Sequence, residues 1–232
     1  MTNPAFSDNI LWIIRNPSFI ARKYLLQWIR KYAPELNWII LDVWCWSKPY
    51  IDFFSYKKYI WVDVEISWHD HSNESIDVYY DWRSLPFEDD SIDSVLSTQT
   101  FEHIQYLPEV VWEIHRVTKK WWKILITLPF VWGEHEQPYD FRRYTAFWVT
   151  HLLQEAWFEI LNLDKSTNTI LTITQLLSTY LSKIFRTTPK IFRNILQLLI
   201  IFPSNAIWIL FAKVLPIDDD LYLDNIILAK KI

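Results

Sequence analysis

Glycine is almost absent from this chain of 232 residues, in which Gly133 is the only one. Average usage of about 7% would give roughly 16 glycines in a chain of this length. Tryptophan, which is normally rare, occurs 15 times. Because glycine alone adopts positive φ angles at no steric cost, a domain with several tight turns is hard to build from this composition. The composition therefore predicts that tryptophan stands at many positions where the fold requires glycine.

Cysteine and an excess of positive charge are also lacking. Cys45 is the single cysteine, which excludes an intrachain disulfide and suits a reducing compartment. The net charge is -4, so no basic field for nucleic acid is expected. The apolar patch at residues 10–14 is short and Arg15 follows it directly, so no signal peptide is predicted. These features favour a cytoplasmic protein with no nucleic-acid partner.

Short apolar runs alternate with helix-like segments through most of the chain. Among the helical segments, Pro108–Val117 places four apolar side chains on one face, and Trp148–Ala156 follows the fifth run. Strands that alternate with helices over short connections predict an α/β fold with a doubly wound, mostly parallel, seven-stranded sheet, which binds ligands at the carboxyl ends of its strands. The predicted strands are Trp38–Val43, Tyr59–Val64, Ile76–Tyr80, Ile92–Ser97, Lys123–Leu128, Phe158–Leu163 and Tyr222–Ala229.

Two long apolar helical stretches, Thr169–Phe185 and Ile191–Leu215, interrupt this pattern before the last strand. The second is expected to break at Pro203 and to lack the roughly 20 clean apolar residues that a membrane span needs. Two interpretations are open: a helical hairpin that covers the sheet, or a surface at residues 175–213 that contacts the inner face of the membrane. The predicted divisions are an N-terminal helical segment (1–37), the α/β core (38–165), an apolar insertion (166–215) and the final strand (216–232).

Glycine in place of the suspicious tryptophans turns improbable segments into ordinary ones. The segment "LDVWCWSKPY" at 41–50 would become a strand followed by the flexible turn G-C-G. In "KKWWKILITLP" at 119–129, glycine would form the turn that enters the fifth strand. Trp157 lies just past a predicted helix, where glycine commonly takes the left-handed conformation.

Several further motifs do not depend on any such replacement. They are Asp42 and Asp63 at strand ends, "YYDWRSLPFEDDSIDSVLS" at 79–97, "FEHI" at 101–104, "EIHRV" at 113–117 and "PYDFRRYT" at 138–145. With glycine at the tryptophan positions, residues 36–165 resemble class I S-adenosylmethionine-dependent methyltransferases of the type 11 group, and residues 222–230 resemble that family's last strand. The resemblance implies a Rossmann-like fold, S-adenosyl-L-methionine as cofactor and methyl transfer to a small-molecule or lipid-linked acceptor.

We therefore predict that most tryptophans stand at UGA codons, which some bacterial lineages read as glycine. Trp132 is expected to be a true tryptophan, because Gly133 beside it shows glycine encoded normally. The alternative is a natural core rich in tryptophan. Trp12, Trp28, Trp112 and Trp208 are left open, and the predicted glycine positions are Trp38, Trp44, Trp46, Trp61, Trp68, Trp82, Trp121, Trp122, Trp148 and Trp157.

The resemblance assigns cofactor contacts to side chains at the ends of the first four strands. Asp63 would accept hydrogen bonds from the ribose hydroxyls, and Asp81 would lie beside the adenine. Both carboxylates have a plainer interpretation as solvated strand ends. Indoles at residues 44 and 46, taken literally, would fill volume that the cofactor needs. The full expected set is Asp42, Trp44, Cys45, Trp46, Asp63, Asp81, Trp82 and Ser97.

Catalytic and acceptor-binding residues are expected after the fourth and fifth strands. His103 is a candidate general base with Glu102 beside it, although both side chains would equally serve to cap the following helix. Two neighbouring arginines suit an anionic acceptor, but an Asp–Arg pair that holds the loop explains them as well. The expected acceptor-binding set is His135, Asp140, Arg142, Arg143 and Tyr144. No metal site is predicted, since the pair His69 and His71 has no identifiable third ligand.

Two other functional classes fit part of the pattern. A nicotinamide-dependent oxidoreductase would share the sheet and Asp63, but Pro49 occupies the place of the third glycine in G-x-G-x-x-G. A degenerate methyltransferase fold that serves as a membrane-associated binding module would explain the literal tryptophans and the apolar insertion.

Overall fold

The computed structural model describes residues 16–43, 48–65 and 76–232. The chain divides into two compact units, one formed by residues 29–164 and 225–232 and the other by residues 1–28 and 165–224. The second unit combines residues 1–28 of the predicted N-terminal segment (1–37) with the predicted apolar insertion (166–215).

The first unit, called the sheet unit, is built on one seven-stranded sheet with the order β3-β2-β1-β4-β5-β7-β6. The four pairs β1–β2, β1–β4, β2–β3 and β4–β5 are parallel. This architecture confirms the predicted doubly wound, mostly parallel sheet. The strands are β1 (Asn37–Val43), β2 (Ser55–Val64), β3 (Val78–Tyr80), β4 (Ile92–Thr98), β5 (Thr118–Pro129), β6 (Phe158–Lys165) and β7 (Asp224–Lys231).

Helices α1 (Phe19–Tyr32), α2 (Leu107–Val117) and α3 (Ala146–Glu155) precede or connect the strands. Helix α2 begins with a proline in its first turn, where the missing N–H costs nothing. Its predicted apolar face is buried at Val110, Val111, Ile114 and Val117. Strands β1 and β4 end in continuous buried runs, which is typical of parallel strands covered on both faces.

The second unit, called the helical unit, contains α4 (Thr169–Phe185), α5 (Lys190–Leu196), a π-helical turn (Gln197–Ile201) and α6 (Phe202–Phe211). The last three form one helical stretch, Lys190–Phe211, of 22 residues. The prediction of a break at Pro203 is wrong. Pro203 lies in the first turn of α6, and the wider turn before it accommodates the proline ring and the lost hydrogen bond.

The same stretch also corrects the expectation that no helix here could span a membrane. By length and composition Lys190–Phe211 is sufficient to cross a bilayer, and only 11% of its most apolar window is buried.

Positive φ angles occur at eight non-glycine residues in the described part of the chain, and four of these are tryptophans. The four are Trp38 (63°), Trp82 (68°), Trp121 (70°) and Trp157 (61°). A bulky L-residue in this left-handed region is strained by roughly 1–2 kcal/mol, whereas glycine is not. All four positions belong to the predicted glycine set.

Three of these tryptophans lie where the chain turns or bulges, and Trp82 lies in a bend after β3. The β1–β2 register shifts directly after Trp38. Trp121 lies in an excursion of β5, because β4 advances from Ile92 to Ser94 while its partner advances from Thr118 to Lys123. Trp157 follows α3, and its N–H donates to the Gln154 carbonyl at 3.1 Å, as a left-handed residue after a helix does. Local backbone geometry thus favours glycine at these sites.

The other predicted glycine positions give no such signal. Trp61 is buried in β2, Trp122 lies in β5 and Trp148 lies in α3, all outside the set with positive φ. Trp44, Trp46 and Trp68 lie outside the described residues. The decoding of UGA as glycine therefore stays a prediction, supported by backbone geometry at four positions.

Replacement of the exposed Trp157 by glycine should stabilise the tryptophan-bearing chain by about 1 kcal/mol, because it relieves the left-handed strain. Trp112→Gly is the matched control: Trp112 is also exposed, but it lies inside α2, where glycine should lower stability by up to about 1 kcal/mol. Urea unfolding of both variants measures the difference. An equal loss of stability in the two variants would contradict the assignment of a glycine site at residue 157.

Candidate functional site

Two of the predicted cofactor carboxylates are fully buried at the carboxyl ends of neighbouring parallel strands. Asp42 in β1 accepts a hydrogen bond from the Tyr59 hydroxyl. Asp63 in β2 accepts one from the backbone N–H of Val64 at 2.7 Å. The interpretation of Asp63 as a solvated strand end does not fit this burial.

A cavity of about 440 Å³ opens at the ends of β2 and β3. Asp81 lies at its edge and is exposed, and it accepts hydrogen bonds from the backbone N–H groups of Ser84 (2.7 Å) and Arg83 (3.0 Å). These bonds lower the pKa of Asp81, so the carboxylate stays charged while it shapes the turn. The cavity is lined by Val64, Glu65, Tyr79, Tyr80, Asp81, Trp82, Ser84 and Pro86.

Two buried hydroxyl groups lie close to these strand ends. The Tyr80 and Ser97 oxygens are shielded from solvent and have no hydrogen-bond partner among the described residues. Burial, together with the negative charge of Asp63, raises the pKa of Tyr80, so its phenol remains a neutral donor. Since buried polar groups normally have partners, these hydroxyls fit a polar ligand at this edge of the sheet.

Trp44, Cys45 and Trp46, the predicted cofactor turn after β1, lie outside the described residues. The same holds for His69 and His71. The predicted cofactor contacts of residues 44–46 are therefore not tested by the structure, and the same holds for the prediction that His69 and His71 bind no metal.

The cavity wall is held by a pair of residues whose role sequence reasoning missed. Arg116 donates to the carbonyls of Leu85 (2.9 Å) and Phe87 (2.8 Å), and Glu113 accepts from the Leu85 N–H (2.8 Å). The two side chains also bind each other, which lowers the pKa of Glu113. The i, i+3 spacing of an acid and an arginine in "EIHRV" indicates an ion pair on the helix. The local sequence does not show that this pair binds the backbone of a distant loop.

Glu102 and His103 lie in a buried 3₁₀ turn (Phe101–His103) directly after β4. The His103 Nδ1–H donates to the Tyr139 carbonyl (2.9 Å), which turns Nε2 towards Glu102, whose Oε1 lies 3.7 Å away. Burial lowers the pKa of His103, so the imidazole is neutral at physiological pH. The capping alternative is not what the structure shows, since α2 begins after Tyr106 without a side-chain cap.

His135 packs edge-on against His103, with the ring centroids 4.8 Å apart. Its backbone N–H donates to Asp140 (2.9 Å), and Arg143 binds both oxygens of the same carboxylate (2.5 and 2.7 Å). Burial alone would raise the pKa of Asp140, but these hydrogen bonds outweigh it and lower the pKa to about 2. The loop after β5 is therefore organised around one charged carboxylate.

The remaining acceptor-binding candidates fasten this loop to the 3₁₀ turn. Arg142 donates to the carbonyls of Ile104 (3.0 Å) and Gln105 (3.1 Å). The Tyr144 hydroxyl donates to the Phe101 carbonyl (3.1 Å), and burial raises the pKa of Tyr144 to about 12. This arrangement matches the alternative of a loop held by its Asp–Arg pair. A direct role in binding the acceptor stays a prediction for these residues.

Tyr139 connects the cavity with the histidine cluster. Its ring stacks on Trp82 at the cavity wall, with centroids 6.4 Å apart and planes 16° apart, while its carbonyl holds His103. The cavity and the buried Glu102–His103 pair are thus neighbours at one edge of the sheet.

Residues 63–124 match the model of a protein family described as a methyltransferase domain. The matched segment runs from the buried carboxylate at the end of β2, through the cavity wall and the 3₁₀ turn, into β5. A search of curated proteins gives no match to this chain.

Solved structures with the same fold cover almost the whole chain at low identity. The [4+2]-cyclase SpnF has a TM-score of 0.56 and 14% identity and covers 100% of this chain and 97% of its own. An S-adenosylmethionine-dependent methyltransferase from Mesorhizobium loti has a TM-score of 0.55 and 10% identity, with 91% and 100% coverage. Phosphoethanolamine N-methyltransferase 2 from Haemonchus contortus, solved with S-adenosyl-L-methionine, has a TM-score of 0.52 and 16% identity, with 99% and 58% coverage.

The sheet unit therefore has the Rossmann-like methyltransferase fold. Because a cyclase shares the fold, the reaction has to be argued from the site.

Proposed function

We propose that this chain is a methyltransferase that uses S-adenosyl-L-methionine and acts on a small-molecule or lipid-linked acceptor. The observation that carries the proposal is the matched family segment, which begins at Asp63 and encloses the cavity and the Glu102–His103 pair. A buried carboxylate at the end of β2, beside a cavity at the end of β3, is where this fold binds a nucleotide.

The residues present fit such a cofactor. Asp63 would accept hydrogen bonds from a ribose, and the Tyr80 and Ser97 hydroxyls would find polar partners. When bound, the cofactor supplies a methyl group activated on a sulfonium. The protein's task is to align the acceptor and exclude water. Neutral His103 is placed to accept the acceptor's proton, with Glu102 behind it.

Glycine at the predicted UGA positions is part of this proposal. A cofactor that approaches the backbone after β1 needs residues without side chains at 44 and 46. The left-handed backbone at Trp38, Trp82 and Trp121 supports the same decoding elsewhere in the sheet unit.

Isothermal titration with S-adenosyl-L-methionine tests the cofactor assignment. We expect weak or no binding by the literal chain and clear binding by the double variant Trp44→Gly/Trp46→Gly, because two indoles leave the cofactor site. Adding Asp63→Ala to the double variant should weaken binding roughly tenfold or more, since hydrogen bonds to a charged group contribute about 1.5–3 kcal/mol. Adding the exposed Asp52→Ala instead is the control and should change nothing.

Failure of the double variant to bind, or tight binding by the literal chain, would refute the proposal. NAD and NADP in parallel titrations address the oxidoreductase alternative. A chain that binds none of these nucleotides would favour the second candidate, a non-catalytic membrane-associated module. Tryptophan side chains at residues 44 and 46 would be compatible with that module, since it needs no cofactor.

We also propose that the helical unit binds the surface of an anionic membrane. Its helices bury polar side chains against each other: Gln175 and Ser178 of α4 are buried, as is Asn205 of α6. The Ser178 hydroxyl donates to the Asn205 side-chain oxygen at 2.6 Å. A hairpin stabilised in water would bury its apolar faces, whereas polar contacts between helices with apolar faces outside are typical of a lipid environment.

The outer surface of the helical unit is correspondingly apolar. Ile191 is 73% exposed, Leu199 66% and Leu210 64%. An exposed apolar surface of this kind marks an interaction site. Other exposed apolar residues of the same stretch are Phe192, Ile195, Leu198, Ile200, Ile207, Trp208 and Phe211.

The charge of the helical unit favours an anionic membrane over a neutral one. Residues 166–217 contain five basic residues and no acidic residue. Because cations near a bilayer are attracted to anionic headgroups, this stretch suits the inner face of a membrane that carries anionic lipids. The five are Lys183, Arg186, Lys190, Arg193 and Lys213.

Vesicle flotation tests the membrane proposal. The full chain should float with vesicles that contain anionic phosphatidylglycerol, less with neutral vesicles and less at high salt. The triple variant Ile191→Ser/Leu199→Ser/Leu210→Ser should lose most of this binding, because it removes exposed apolar area. Phe147→Ser, at an 88% exposed site on α3 of the sheet unit, is the matched control and should float like the parent chain. Equal recovery of the triple variant and the parent chain with the vesicles would contradict membrane binding through this apolar surface.

A further inference from the structure

We infer that Glu102, His103 and His135 form a binding site for one divalent metal ion. One ligand atom from each residue lies within 4.8 Å of the other two. Two imidazoles and a carboxylate are a donor set that proteins use for zinc, manganese and ferrous iron. Glu102 and His103 are buried and His135 is partly exposed, so the site has a fixed inner wall and an open side.

The Nδ1 atom of each histidine lies beside an oxygen atom, as it commonly does in histidines that bind a metal through Nε2. The Nδ1–H of His103 donates to the Tyr139 carbonyl (2.9 Å). The Nδ1 of His135 lies 3.2 Å from the Gly133 carbonyl and 3.2 Å from Asp140. In metal sites, an oxygen that binds one ring nitrogen fixes the ring so that the other nitrogen faces the ion. Both imidazoles are held in this way.

The distances suit a shared cation better than a direct hydrogen bond. The His103 Nε2 and Glu102 Oε1 are 3.7 Å apart, beyond hydrogen-bond length. Two ligands with bonds of about 2.0–2.2 Å to one ion lie roughly 3–3.6 Å apart. His135 has to move inwards on the order of 1 Å to complete this geometry. Its loop position and partial exposure permit that movement.

The surrounding charges leave room for a cation. Arg143 is a positive group beside the cluster, with one guanidinium nitrogen 3.4 Å from His135 Nδ1. That guanidinium binds both oxygens of Asp140, so its charge is matched there. The Glu102 carboxylate then provides the negative charge on the inner wall of the cluster.

A metal ion here would deepen the proposed function, on which this step rests. A hydroxyl or phosphate oxygen of the acceptor would take an open coordination position, and the ion would lower the pKa of a bound hydroxyl. His103 would then act as a ligand, and the proton of the bound hydroxyl would pass to solvent at the open side of the site. The acceptor class this site fits is one that presents an oxygen ligand to the metal.

Cobalt titration of the metal-stripped full chain tests the site, because Co²⁺ bound by imidazole and carboxylate gives visible absorption bands. We expect saturation at one equivalent, with competition by Zn²⁺ and Mn²⁺. Glu102→Gln and His135→Ala should each lower the affinity at least tenfold, as each removes a ligand. His151→Ala is the matched control, since His151 is 69% exposed on α3 with Glu155 as its partner, and it should bind like the parent. Circular dichroism confirms that each variant is folded.

The inference is overturned if the parent chain shows no saturable cobalt spectrum, or if Glu102→Gln and His135→Ala bind as tightly as His151→Ala. The readout needs neither cofactor nor acceptor. A chain that binds S-adenosyl-L-methionine but no metal would therefore remove the metal site alone, and the reverse result would remove the cofactor assignment alone.

Discussion

A left-handed backbone at the turns of the sheet unit is the constraint on which the rest of the structure depends. The bulge after Trp38, the excursion at Trp121 and the end of α3 at Trp157 set the register and direction of β1, β5 and β6. Any side chain beyond a hydrogen strains these bends, and an indole brings the largest one. Glycine at these positions would relieve the strain and would also account for the near absence of glycine from the sequence. The decoding of these tryptophans as glycine stays a prediction.

That register places the chemistry at one edge of the sheet. Parallel β1 and β2 end in buried carboxylates, and β3 opens the cavity beside them. Beyond β4, the turn that carries Glu102 and His103 is fastened by Tyr144 and Arg142 to the loop after β5. The residues predicted to bind an acceptor make contacts within this loop and to the turn, and their part in binding stays a prediction. Glu102, His103 and His135 lie together beside them.

Sequence periodicity predicted the strands and the α2 face well, because burial in a parallel sheet leaves continuous apolar runs. It also located Asp63, which lies at the end of β2, and the Glu102–His103 pair, which lies in the turn after β4. His135 could not be joined to that pair from sequence, since only the fold brings the loop after β5 against the turn after β4. The helical unit was misjudged at Pro203 because a proline that follows a π-helical turn does not end a helix. The sequence also did not show that the helical unit buries polar side chains and exposes apolar ones. Helical spacing shows which residues share a face, but not which face is exposed.

Peptide mass spectrometry of the protein isolated from its native cells tests the central claim most directly. The account predicts glycine masses at residues 121 and 157, where the backbone is left-handed, and at residues 44 and 46, where the cofactor must approach. Trp132 serves as the internal reference and should appear as tryptophan. Tryptophan masses at residues 44, 46, 121 and 157 would contradict the account.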